Sequence, residues 1–338
     1  MLAVVIAAAV PALNAPDPVF VYSTRSDNKV RLVGIDELDE RAVVDVKAGC
    51  HELLASSDSA WALGSIYGGP GKGHQPADNR LVVIDLTRHT LHRTIDLGTL
   101  SRPNDMAFIP GTTEAIVTVE MPPNLVRVDA KSGEFTSIPL DHPAGHMLAL
   151  SPDAKTAYVA HVMPGLVSVV DLAARKTTAT IKTPAGAEGI ACSPDGLRLW
   201  VACNRADSIV IIDTATHEVV QTIDAPGFPF RLRFSPDGTR VAVSFPKTAE
   251  LGLFDAADPA TVTRVSLKDE PISTPLAPTS VSFSPDGKSV AVVCDGPQPQ
   301  LVRVDVARKA VAARVATVAV PDALTAATPA RSPAGKAS

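Results

Sequence analysis

The sequence contains no block of lysines and arginines. Its 31 Lys and Arg against 36 Asp and Glu leave a formal net charge of -5, so it lacks the electrostatic footprint of a nucleic-acid-binding protein. There is no His-x-x-Glu-His, paired Cys-x-x-Cys, Walker loop or Gly-x-Ser-x-Gly element, which removes the best-marked protease, zinc, nucleotide and esterase readings. Cysteine is scarce, with four residues in 338. Cys192 and Cys203 lie on the two arms of one hairpin, but a short turn pairs Cys192 with residues near Leu199. Free, mostly buried thiols are expected rather than a disulfide framework. Aromatics make up 4% of the chain, so packing rests on Val and Ala. The apolar start "MLAVVIAAAVPALNA" is too short for a transmembrane helix. It lacks a basic n-region, yet its apolar run and Leu-Asn-Ala resemble a secretory signal. The expectation is a leader over 1–15, a mature chain in the periplasm or secreted, and a cytoplasmic protein if the segment is no signal.

What the sequence does have is a repeat. "LALSPDAKTAYVAHV", "CSPDGLRLWVACN", "LRFSPDGTRVAVSF" and "VSFSPDGKSVAVVC" each set a turn between apolar runs, with prolines at Pro152, Pro194, Pro236 and Pro285, in steps of 42, 42 and 49 residues. Proline presets φ for the first turn position, and Asp and Gly tolerate the left-handed conformations that follow. A later strand in each unit ends in aspartate, at Asp36, Asp85, Asp129, Asp171, Asp213, Asp255 and Asp305. Seven such units of about four short strands specify an all-β, seven-bladed β-propeller. The WD-repeat signature, with Gly-His and Trp-Asp pairs in each unit, is absent.

The first unit, "VFVYSTRSDNKVRLVGIDELDERAVVDV", lacks an inner strand. The C-terminal "VAVPDALTAATPA" matches "SRPNDMAFIPGTT" and can supply it, so strands from both chain ends close the ring and leave no open edge. The alternative is a disordered C-terminal segment. The expected domain spans 16–329, followed by a flexible tail over 330–338, where strand periodicity is lost.

The "SPDG" turns and the "VxVxD" strands resemble the YVTN-type repeat propellers. These include lactonase-like enzymes and the propeller subunits or domains of amine dehydrogenases and haem nitrite reductases. The resemblance covers Val19 to about Pro329 and implies an architecture. A narrower one joins "AGCHELLAS", "RPNDMAF" and "VTVEMP" to a lactonase-type pattern of Gly-Cys-His, Pro-Arg-His-Met and Asn-Glu. His51 and Glu120 match its His and Glu. Asn104 stands at its Arg, with Arg102 nearby, and the blade order differs.

In a propeller the first strand of each blade lines the central channel. Aligning the units on their turns puts His51, Asn104, His146, Glu188, Phe230 and Thr279 in equivalent places, with Asp105 and Arg231 next in their own blades. The second strands end on the same face and add Glu120, His161, Cys203 and Cys294. His51, His146, Glu188, Asp105 and Glu120 are therefore the candidate catalytic groups, and Asn104, Arg102, Arg231 and His74 the candidate substrate contacts. Two readings of His51, His146 and His161 stand: a divalent-metal or acid/base site, or solvated polar residues around a wet channel. Met121, Met147 and Met163 extend the first reading to copper. The insertion "SIYGGPGKGHQPADN", with Lys72 and His74, reads as a lid or as a neutral surface loop. The corresponding functions are a small-molecule site at the channel mouth, which includes a lactonase-like hydrolase, or a non-catalytic envelope scaffold with a protein partner.

Overall fold

A computed structural model describes residues 17–68, 76–143, 145–268, 276–318 and 320–330. Its 28 strands form seven antiparallel four-stranded sheets, the blades of a ring. We number the blades along the chain, from blade 1 at Val19–Thr24 to blade 7 at Ala277–Phe283. Six are consecutive meanders. In blade 1 the C-terminal strand Pro321–Ala327 lies innermost and pairs with Val19–Thr24, from Val19 opposite Ala327 to Thr24 opposite Pro321. Both chain ends thus close one blade, as the incomplete first unit requires. The expected leader and all of the tail but Ala330 lie outside the described residues.

The repeated turn has one geometry. In blades 2, 4, 6 and 7 the serine before the turn donates to the turn aspartate: Ser56 to Asp58 (2.6 Å), Ser151 to Asp153 (2.7 Å), Ser235 to Asp237 (2.6 Å) and Ser284 to Asp286 (2.7 Å). Ser193 does the same to Asp195 in blade 5. Each serine also accepts the amide five residues on, at 3.0 Å for Ser56, Ser151, Ser193, Ser235 and Ser284. Gly196, Gly238 and Gly287 take φ of 75°, 72° and 72°, where a Cβ is strained. A Cβ there would also stand 3.0, 3.3 and 3.5 Å from Pro152, Pro194 and Pro236 of the preceding blade. The turns therefore interlock around the ring, which is why the tetrapeptide recurs.

The aspartate markers work locally too. Asp85, Asp171, Asp213 and Asp255 each accept the backbone amides two and three residues ahead and so fix the turn into the outer strand. Apolar faces meet between neighbouring sheets. Trp200 of blade 5 packs edge-on against Phe234 and Phe254 of blade 6 at 5.9 and 6.0 Å. Small β-branched residues fill most of the other clusters.

Candidate functional site

The ring of site residues is made by a bulge at the head of each inner strand. Asn104–Asp105 stand opposite Thr118, His146–Met147 opposite Ala160, Glu188–Gly189 opposite Ala202, and Asp322–Ala323 opposite Ser23. Ser65 brackets His51–Glu52 in the same way, through His51 N–H to Ser65 C=O and Ser65 N–H to Glu52 C=O, and Ser244 brackets Phe230–Arg231. In blade 7 the register slips by one residue, at Thr279. Two residues opposing one leave an unpaired amide and re-aim a side chain. In four blades a hydroxyl on the second strand takes that amide at 3.1 Å: Ser65 from Glu52, Thr118 from Asp105, Ser244 from Arg231 and Ser23 from Ala323. Ser23 and Thr118 also donate to the next blade, at Cys50 C=O (3.1 Å) and His146 C=O (2.6 Å).

Arg231 occupies the centre. Its Nη1 donates to Glu188 Oε1 and its Nη2 to Glu52 Oε1, each at 2.6 Å, tying blade 6 to blade 5 and, across the channel, to blade 2. All three side chains are buried, and the Phe230 ring lies 4.3 Å from the guanidinium carbon. Burial pushes the Glu188 carboxyl up, but the charges of His146 and Arg231 outweigh it and hold the group at about 2. His146 Nδ1 stands 3.1 Å from Glu188 Oε1. It is close enough for an ion pair but not aligned for a hydrogen bond, and this buried nitrogen has no other partner.

His51 is held differently. Asp322 Oδ2 meets its Nδ1 at 2.8 Å and receives Arg25 Nη1 at 3.3 Å. Burial disfavours the charged imidazole, yet Asp322 prevails and raises the His51 pKa above its ordinary value. Asp322 is lowered, against its burial, by His51, Arg25 and Arg231. The His51 ring lies 5.0 Å from Tyr67, whose hydroxyl donates to Glu120 Oε2 at 2.7 Å. Asn104 Nδ2 donates to Glu120 Oε1 at 3.1 Å, while its buried Oδ1 has no partner. Arg102, at a left-handed φ of 62°, places its guanidinium 4.7 Å from the Tyr67 ring centroid. Burial and then Glu120 push the Tyr67 phenol up to about 12.

His51, Arg102, Asn104, Glu120, His146, Glu188 and Arg231 thus fall into linked clusters on one face. Asp105 is buried and its Oδ2 accepts the Leu148 amide of blade 4 at 3.0 Å, a structural tie between blades. Burial raises its pKa, with Glu52 adding to the rise and Arg233 opposing it. His161 does not join the other two histidines. Its ring is fully buried, with Nδ1 on Pro143 C=O (2.8 Å) and Nε2 on Ser168 Oγ (2.9 Å). Among the described residues no group of three or more His, Cys, Asp or Glu is arranged to hold a metal ion. The expected histidine trio is therefore not assembled, because the second-strand position of blade 4 turns inward. Met147 is buried in the core while Met121 and Met163 are exposed, so the thioethers do not gather either. Cys203 and Cys294 are buried, and all four cysteines are free. His74 and Lys72 lie outside the described residues.

Asp322, Glu52 and Tyr67 were not singled out from sequence. Setting Pro321 of "VAVPDALTAATPA" on Pro103 of "SRPNDMAFIPGTT" puts Asp322 at the position of Asn104. Glu52 follows His51 just as Asp105 and Arg231 follow their ring residues. Tyr67 carried no comparable signal.

A seven-bladed β-propeller with an ionic network across its channel is thus the class of protein defined here. Residues 112–274 match the model of the YNCE-like β-propeller family. Hydrazine synthase of Kuenenia stuttgartiensis is similar in structure at 19% identity, with a TM-score of 0.69 over 82% of this chain and 89% of that one. A functionally unknown protein from Desulfotomaculum acetoxidans is similar at 14% identity, with a TM-score of 0.75 over 92% and 99%. At these identities the likeness is one of fold. No curated protein matches, and among the described residues no helix is long and apolar enough to cross a membrane.

Proposed function

We propose that this mouth of the channel is an acid–base site for a small organic molecule, and that the reaction is hydrolysis of a lactone or similar ester. The observation that carries the reading is the pair of histidines two blades apart, each beside its own carboxylate: His51 with Asp322 and His146 with Glu188. Asp322, which takes His51 Nδ1, fixes that ring's tautomer and leaves its other nitrogen for substrate, while Glu188 stands 3.1 Å from His146 Nδ1 as a charge partner. His51, with its raised pKa, suits the general acid, and His146 the general base. Water loses a proton to His146 as its oxygen bonds the carbonyl carbon. The carbon to ring-oxygen bond breaks, and the leaving oxygen takes its proton from His51, giving a hydroxy acid. Arg102, beside Tyr67 on the His51 side, supplies donors for the carbonyl oxygen.

Dihydrocoumarin, an uncharged aromatic lactone, is the test substrate, assayed from pH 5 to 9 on the wild type, His51→Ala and His146→Ala. Turnover that falls at least about 100-fold in each variant is expected, in the range of a lost proton-transfer group. If wild-type turnover equals the buffer rate, or survives both substitutions, the hydrolase reading fails.

A further inference from the structure

We propose that the opposite mouth of the channel is a second binding site, which takes a small molecule bearing a carboxylate or phosphate on Arg233. The cavity there is about 560 Å³ and is lined by the inner-strand ends of blades 6, 7, 1 and 2, a volume of the size that holds small ligands.

Arg231 and Arg233 alternate with Leu232 along one strand, so both point to the channel, but their surroundings differ. Arg231 is saturated by Glu52 and Glu188. Arg233 is half-buried, donates through Nη1 to Leu232 C=O at 3.1 Å, and makes no ion pair among the described residues. A guanidinium keeps its charge at any accessible pH and presents a fork of N–H groups that fits an oxyanion. Asp105 is the acid whose charge it senses. That carboxyl is buried, spends Oδ2 on the Leu148 amide and makes no ion pair with the arginine among the described residues. The cavity is therefore left with a guanidinium that has no salt-bridge partner among the described residues, separated from the other mouth by the Arg231 bridge.

The walls suit the remainder of such a ligand. Ser56, Ser282 and Thr325 bring hydroxyls, and Phe234, Pro236 and Pro285 bring flat apolar surface. Many of the hydroxyls already serve the turns or the closing strand, as Ser56 does for Asp58 and Thr325 for the Ala55 amide. Arg233 is accordingly the anchor, and the walls set the shape.

The experiment is calorimetric titration at fixed ionic strength with benzoate and, separately, inorganic phosphate, which distinguishes the two oxyanions. Binding of at least one probe at one per chain is expected for the wild type. A loss of about tenfold or more is expected in Arg233→Gln, the effect of a lost hydrogen bond to a charged group, with Arg233→Lys intermediate because it keeps the charge but not the fork. The His51→Ala/His146→Ala double variant should bind as the wild type does, whatever becomes of the lactone assay. Absence of binding of either probe to the wild type overturns the proposal, as does wild-type affinity in a folded Arg233→Gln. Should Arg233→Gln fail to fold, wild-type affinity in Arg233→Lys does the same. Loss of binding in the double histidine variant would move the probe to the other mouth and also overturns it.

Discussion

Replacing Arg231 with Met leaves Glu52 and Glu188 buried without their shared cation, and two routes give the size of the effect. Breaking a buried ion pair by removing one partner costs about 3–5 kcal/mol. Independently, the Glu188 carboxyl sits at about 2 against an ordinary 4.5, a difference of about 3 kcal/mol, which His146 and Arg231 share. We take about 3 kcal/mol at pH 7. For a chain of 338 residues, unfolding entropy of about 2.1 cal/mol/K per residue turns this into a fall in Tm of about 4 °C. The pH dependence has a definite sign. Because its folded pKa is depressed, Glu188 in the wild type contributes stability that is present above about pH 4.5 and lost as pH falls through 2. Without Arg231 the Glu188 carboxylate protonates at higher pH, so the deficit of the variant is largest at pH 7 and narrows toward pH 4. Adding Glu52→Gln and Glu188→Gln to Arg231→Met should restore most of the loss. Differential scanning calorimetry at pH 4.5 and pH 7.5 is the assay. An unchanged Tm at pH 7.5, or a deficit equal at both values, would refute the reasoning.

Asp322→Asn removes the group that raises the His51 pKa, so that pKa should fall, as read from its imidazole Cε1–H shift by NMR. The wild type gains stability from His51 below its unfolded value of about 6.5 and loses it as pH rises through the folded value; that slope should flatten in the variant. Deleting Val318 to Ser338 removes the inner strand of blade 1 and exposes the edge of Val19–Thr24; cooperative thermal melting should be lost, and an unchanged melt would count against closure by the C-terminal strand.

The fold was legible because its signals are local. Pro, Asp and Gly at fixed turn positions and an aspartate closing the third strand act within a few residues of themselves, as the bonds of Asp237 and Asp255 show. The ring positions were legible for the same reason, since counting back from a turn fixes which residue enters the channel. Partners across the channel were not. The Arg231 to Glu52 bond joins residues 179 apart in sequence, and no repeat arithmetic says which two of seven positions will touch. His161 went astray for a related reason. Its place at the end of a second strand was read correctly, but whether it faces the channel depends on Pro143 and Ser168, which no periodicity singles out.

The bulges explain how one repeat carries such unequal chemistry. If the amide freed by each bulge had to be satisfied by the ring residue itself, that residue would be restricted to hydrogen-bonding types. Ser65, Thr118, Ser244 and Ser23 instead take the amide from the second strand, so the ring residue is relieved of a structural duty. Imidazole, carboxylate, amide and phenyl groups then occupy the same geometric position at His51, Asp322, Asn104 and Phe230. The fold constrains where these side chains stand, while which ones stand there is left to chemistry. That His51, at one of these freed positions, and His146, at the bulge of blade 4, each stand beside a carboxylate is not a requirement of the ring, and it is the reason to look for function at this mouth.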